Sequence, residues 1–178
     1  MLDTDLVDAT AGGRAAQLLE QAAELLDDWG TRPPRVLRTG GLAVRDLSRA
    51  ATLLESTREE VAWLVEVLLA AGLIAADQSP DPAWMPTGES DDWAELPSSE
   101  RWAALASAWL TMAAGPSLVG TSDGNAKVNA LSTQTSWPHG RQRRQDVLAA
   151  AATLPPGAAP SPERLTDLLR WHHPVRMS

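Results

Sequence analysis

Apolar residues recur every three or four positions along much of this chain, and clusters of Gly, Pro, Ser and Asp interrupt them. Ala15, Leu18, Leu19, Ala22, Leu25 and Leu26 set the first stripe and predict a helix over 13–29. Gly30 and Pro33-Pro34 stop it. Arg35 to Thr39 reads as a short strand and Gly40-Gly41 as a turn. Val44, Leu47, Ala51 and Leu54 share one face of the next helix. After a break at Glu55-Ser56-Thr57, a capping box (Thr57 with Glu60, or Ser56 with Glu59) starts another. Val61, Leu64, Val65, Leu68 and Leu69 form its buried face, and Gly72 ends it as a left-handed stop. Leu73–Ala76 and Ala83–Thr87 flank Gln78-Ser79-Pro80-Asp81-Pro82 and read as a hairpin.

Short strand, helix, tight turn, helix, hairpin is the order of a winged helix, expected here at 13–87. Gly88 to Ser99 is polar and acidic, which predicts a linker at 88–97. A second unit is expected at 98–178. Trp102, Leu105, Ala106, Trp109 and Leu110 mark a helix from near Ser99, and 115–140 reads as a long loop rich in Gly, Ser, Thr and Asn. Arg141–Leu154 follows as a helix with Val147, Leu148, Ala151 and Leu154 inward, closed by Pro155-Pro156-Gly157. Ser161-Pro162-Glu163 starts the last helix, which runs through Leu165, Leu168, Leu169 and His172 to Pro174. The expected fold is mainly α with small β-hairpins: a winged helix-turn-helix plus a second helical, winged-helix-like unit.

Composition narrows the chemistry. The 178 residues include no cysteine, which removes disulfides, thiolate catalysis and Cys-based zinc sites. No apolar run approaches the ~20 residues that span a bilayer, and the acidic start Met-Leu-Asp-Thr-Asp is unlike a signal peptide. A cytoplasmic protein with no membrane contact is expected. The net charge of −8 is unevenly spread. Residues 1–30 carry seven acids and one Arg, 31–58 six Arg and two acids, 59–100 ten acids and no base, and 101–178 eight bases and four acids. Two basic zones therefore sit on an acidic chain.

Gly40-Gly41 lacks the spacing of a phosphate-binding loop and reads as a turn feeding a helix. Arg38, Arg45 and Arg49 can grip phosphates, with Arg45 and Arg49 on one helix face; the alternative is pairing with Asp46, Glu20 or Glu24. The helix in the recognition position presents Glu59, Glu60, Trp63 and Glu66 outward, where a DNA reader wants Arg, Lys, Asn or Gln. Glu59, Trp63 and Glu66 suit protein contact instead, unless Trp63 simply packs on the first helix. Arg141, Arg143 and Arg144 open a helix against its dipole. They point either to a bound anion or to contact with the acidic 88–100 segment. His172-His173 diverge on a helix and lack further ligands, and His139 is remote, so no metal is expected. Ser122-Asp123-Gly124-Asn125 reads as a turn without a catalytic base, and nothing desolvates Asp91-Asp92. No residue set supports an enzyme, and no cofactor is expected.

Pro33-Pro34-x-Val-Leu-Arg-Thr-Gly-Gly-Leu-Ala-Val-Arg-Asp-Leu-Ser-Arg, Leu-Leu-Ala-Ala-Gly-Leu-Ile and Trp84-x-Pro-Thr resemble the helicase-associated proteins of actinobacteria. Glu100-Arg101-Trp102, Asn129-Ala130-Leu131-Ser132, Arg143-Arg144-x-x-Val-Leu and Arg170-Trp171-x-x-Pro174 follow in the same order, so the likeness covers about residues 32–174. Those proteins are longer, and their later part is similar to the N-terminal domain of XPB-type DNA-repair helicases. The resemblance implies winged-helix modules, a DNA-linked accessory role without a motor, and a chain that is the N-terminal part of something longer. The leading expectation is a non-catalytic DNA-binding or DNA-processing module, touching phosphates through Arg38, Arg45, Arg49, Arg141, Arg143 and Arg144. The rival is a protein-interaction module using Trp63 and the acidic face. A third reading, a regulator similar to the MarR type, predicts a homodimer.

Overall fold

The first helix, α1, spans Thr4–Thr31 and starts nine residues before the expected position. Asp3 caps it, its carboxylate accepting the Asp5 amide at 2.9 Å. Gly12 and Gly13 do not break it. Its first turns stand away from the rest of the molecule, with residues 4–14 exposed and Leu6 63% accessible. Its second half is the opposite: Leu19, Ala22, Leu25, Leu26 and Trp29 are buried. This computed structural model describes residues 3–123 and 126–172.

After Pro33-Pro34, single bridges pair Arg35 with Ala83 and Val36 with Leu42. Helix α2 (Val44–Leu53) buries Leu47, Ala50 and Ala51. A turn through Glu55, at φ +48, leads to α3 (Arg58–Ala70). The capping box forms at Thr57 and Glu60: the Glu60 amide donates to Thr57 Oγ1 at 3.2 Å, and the Thr57 amide donates to Glu60 Oε2 at 2.9 Å. The bonds that the Thr57 amide and hydroxyl donate to the Glu60 carboxylate hold its pKa below the ordinary value. Strands β1 (Ile74–Ala76) and β2 (Trp84–Pro86) pair antiparallel, Ala75 opposite Met85. Helix, bridge, helix, turn, helix and hairpin thus fall in the winged-helix order.

The stretch expected to be a linker is helix α4 (Gly88–Glu95). Trp93 is its reason for folding: the ring is buried, its Nε1 donates to the Arg101 carbonyl at 3.2 Å, and the Arg101 guanidinium lies 5.5 Å from the ring centre. Helix α5 follows at Ser98–Thr111. The expected long loop contains 3-10 turns at Pro116–Leu118 and Thr133–Thr135, and a minimal hairpin of β3 (Ser122–Asp123) and β4 (Ala126–Lys127). The remaining helices are α6 (Gly140–Ala152) and α7 (Pro162–His172), which pack on each other.

One contiguous apolar cluster takes in Leu25 and Trp29 from α1, Leu42, Leu47, Leu68, Ile74, Trp84 and Trp93, and also Leu105, Met112, Ala130 and Leu131. The 129–132 segment reaches it by lying against Gly41. The Leu42 amide donates to the Ala130 carbonyl at 2.8 Å, and the Trp84 Nε1 donates to the Gly41 carbonyl at 3.3 Å. A Cβ on Gly41, which has φ +88, would stand 2.7 Å from the Ala130 oxygen and 2.9 Å from the Ser132 Cβ. Gly40 also has positive φ, +81, but nothing lies within 4 Å of its Cβ position. Gly41→Ala should therefore destabilise by about 2–4 kcal/mol, and Gly40→Ala by about 1 kcal/mol, in urea unfolding. Equal costs for the two would overturn this account of the pair.

Candidate functional site

Helix α3 occupies the recognition position, but Val61, Ala62, Leu64, Val65, Glu66, Val67 and Leu68 are all buried. It is packed against α2, α5 and the Pro116–Leu118 turn. A helix so covered has no bare cylinder to seat in a DNA major groove. Glu66, expected to face outward, is a correction: it is 2% exposed, and Oε1 accepts the Leu131 amide at 2.7 Å. Leu131 holds φ +58, a left-handed conformation, and its amide turns inward to the carboxylate. Burial raises the Glu66 pKa, opposed by hydrogen bonds from the Leu131 backbone and the Thr135 side chain.

The basic candidates divide by environment. Arg49 is only half-exposed; its Nη2 lies 3.3 Å from Asp28 Oδ2 and donates to the Arg32 carbonyl at 3.1 Å. Arg32 reaches the other Asp28 oxygen at 2.5 Å, so the two guanidiniums neutralise a buried carboxylate at the end of α1. That pairing replaces the expected partners Glu20 and Glu24. Arg35 pairs with Asp81 at the tip of the β1–β2 hairpin. Arg38 is exposed in the turn before α2, and Arg45 is 82% exposed, 3.6 Å from Asp46.

Arg144 is the second correction. It is 8% exposed and donates to the Met112 carbonyl at 2.6 Å and the Ala114 carbonyl at 2.5 Å. Its guanidinium lies 5.8 Å from the Trp109 ring centre and 6.0 Å from that of Trp137. A charge that opposes the dipole of α6 is thus well placed for α5, whose C-terminal carbonyl end it caps. It is not offered to an outside phosphate. Arg143 is half-buried and Arg141 exposed.

Toward its N-terminal end α3 leaves Arg58, Glu59, Glu60 and one side of Trp63 open to solvent, between two grooves. The first groove, about 630 Å³, runs between the exposed part of α1 and the start of α3, lined by Ala15, Leu18, Leu64, Glu59, Trp63 and Trp102 among others. Trp102 is 41% exposed. It helped mark α5 in the sequence, but unlike Arg101 beside it, which packs on Trp93, its ring stays open to solvent. The second groove, also about 630 Å³, lies between α2, α3 and the stretches 116–121 and 127–130. Glu59 and Trp63 line both.

Among the described residues, no cluster of three or more His, Asp or Glu side chains is arranged to hold a metal ion. Nor is any helix there long and apolar enough to cross a membrane. His173, and with it the His172-His173 pair, lies outside the described residues, as do Gly124 and Asn125 of the Ser122–Asn125 turn. His139, Asp91 and Asp92 are exposed. Comparison with protein-family models, with curated proteins and with solved structures finds no match.

Two measurements check these assignments. A carboxyl whose folded pKa lies above its unfolded one stabilises the fold at pH below the unfolded value and loses that contribution as pH rises through the folded one. The Glu66 contribution to unfolding free energy should therefore fall as pH rises above the ordinary carboxylate range, and Glu66→Gln, which keeps the acceptor, should flatten the profile. A profile identical in the two proteins would contradict the assignment. Arg144→Ala should cost about 3 kcal/mol, because it strands the Met112 and Ala114 carbonyls just after α5, and it should shift the Trp emission spectrum. Arg141→Ala should change stability by less than about 0.5 kcal/mol.

Proposed function

We propose that this chain is a non-catalytic docking module whose partner is another protein, received in the groove between α1 and α3. The observation that carries this reading is the pair of tryptophans there: Trp63 half-buried and Trp102 exposed, both lining one concave surface. Large aromatic anchors in a pocket are where binding energy concentrates at protein interfaces. The charged lining is Glu59 and Glu60 against Arg14, and the stretches that build the groove are acidic, with seven acids against that one Arg in 1–30 and ten acids and no base in 59–100. Charge complementarity therefore selects a basic segment with an apolar anchor. An accessory role of this kind agrees with the resemblance to helicase-associated proteins.

A synthetic amphipathic helix with Lys on one face and Leu on the other, against its Glu counterpart, tests the reading by calorimetry. The Lys peptide should bind, and Trp102→Ala and Glu59→Gln should each weaken it, the former at least about tenfold, or ~1.4 kcal/mol. Equal binding of both peptides, or indifference to Trp102→Ala, would overturn it.

Nucleic-acid contact is the second reading, favoured by the exposed Arg38 and Arg45 at the entrance to α2. It confines phosphate contact to that corner and to Arg141, with Arg49 and Arg144 serving the fold. Anisotropy titration of duplex and forked DNA across a salt series should show binding that steepens at low salt and disappears in the Arg38→Ala, Arg45→Ala double variant. Binding that survives the double variant would reject this surface.

A further inference from the structure

The second groove has the opposite electrostatic character from the first. Its floor and walls are apolar: Leu42, Leu47, Trp63, Val119 and Val128. Its rim carries Arg58 and Lys127, the only lysine of the chain. Neither takes part in an ion pair among the described residues. Arg58 comes from the first turn of α3 and Lys127 from β4, so elements distant in sequence place two cations over one apolar hollow. The single acid on the rim is Glu59. A volume of about 630 Å³ falls within the range of small-molecule sites, which are typically apolar with a few convergent polar groups.

We infer that this groove binds a small amphipathic anion, a carboxylate or sulfonate on an aromatic or aliphatic body. The body displaces water from Val44, Trp63 and Val119, above a floor in which Leu42, Leu47 and Val128 are already buried, and the anionic head meets Arg58 and Lys127 at the mouth. The head outcompetes chloride because the apolar body holds it there, and neither cation has an internal carboxylate to give up. Glu59 opposes the head, so its charge lowers affinity for an anion in this groove while raising it for a basic segment in the other. The site stands independently of the proposed protein docking.

Two fluorescent probes with the same body separate the contributions: 1-anilinonaphthalene-8-sulfonate, which is anionic, and N-phenyl-1-naphthylamine, which is neutral. The sulfonate should bind the folded protein at micromolar concentration and be displaced by octanoate but not by octylamine. Arg58→Gln with Lys127→Gln should weaken the sulfonate at least about tenfold and the neutral probe less than about twofold. Thr121→Trp, at the exposed rim, should block both, and Glu59→Gln should tighten the sulfonate. Equal affinity for the two probes, or no loss in the double variant, overturns the proposal, as does loss on Trp102→Ala, which would place the probe in the first groove. Because Glu59→Gln acts in opposite directions on anion and basic peptide, failure of one reading is distinguishable from failure of the other.

Discussion

Glu66 projects from the middle of α3 into the interior, and the backbone amide of Leu131 meets it at 2.7 Å. A buried carboxylate without donors would be costly, so the 129–135 segment cannot leave α3 without stranding it. The segment is held from the other side as well, by the Leu42 amide on the Ala130 carbonyl and by the bare Cα of Gly41. These contacts determine much else. They bring Ala130 and Leu131 into the same apolar cluster as Trp29 and Leu68, set the Pro116–Leu118 turn beside α3, and give the second groove its far wall. A helix that could have been a DNA-reading rod becomes the central post of the molecule.

The arginines follow a related logic. Arg32 and Arg49 neutralise Asp28 where α1 ends, Arg144 caps the carbonyl end of α5 between two indoles, and Arg101 covers Trp93. In each case a guanidinium satisfies buried oxygens or shields an aromatic face. Its planar fork suits both tasks better than an ammonium would, which fits a chain with fourteen arginines and one lysine. The basic blocks of the sequence therefore describe the interior joints as much as the surface.

Elements with a strong apolar period were legible in advance. Helices α2 and α3, a capping box at Thr57 or Ser56, the stop at Gly72 and the β1–β2 hairpin could be read directly. Helices α6 and α7 could be read as helices, but the α6 face expected inward, with Leu148 and Ala151, is exposed, and Arg144, Asp146 and Ala150 are buried instead. Helix α4 was hidden because its one buried aromatic, Trp93, leaves no stripe in an acidic stretch. The early start of α1 rests on the Asp3 cap and on solvated turns that carry no pattern. Glu66 and Arg144 were misplaced for a shared reason: charged residues at helical positions read as solvent-facing unless their partners are known. Leu131, Met112 and Ala114 are backbone partners 65, 32 and 30 residues away in the chain. Of the candidate site, Glu59 and Trp63 could be singled out from the sequence. Trp102 could not, because its helical spacing is the same whether or not a neighbour covers it. The second groove needs α3 and β4 side by side, and no local pattern encodes that.

Trp63 separates the two grooves as a common wall. An indole that turns or slides to widen one hollow takes volume from the other, and the carboxylate of Glu59 faces the contents of both. Two occupants sharing such a wall are thermodynamically linked, and the linkage is reciprocal: whatever free energy the first adds to or subtracts from the second is returned in equal measure. Opposite charges on the two would attract across the partition, while crowding of the ring would set them against each other. With both proposed occupants in place, the single aromatic side chain would make the surface a two-input element.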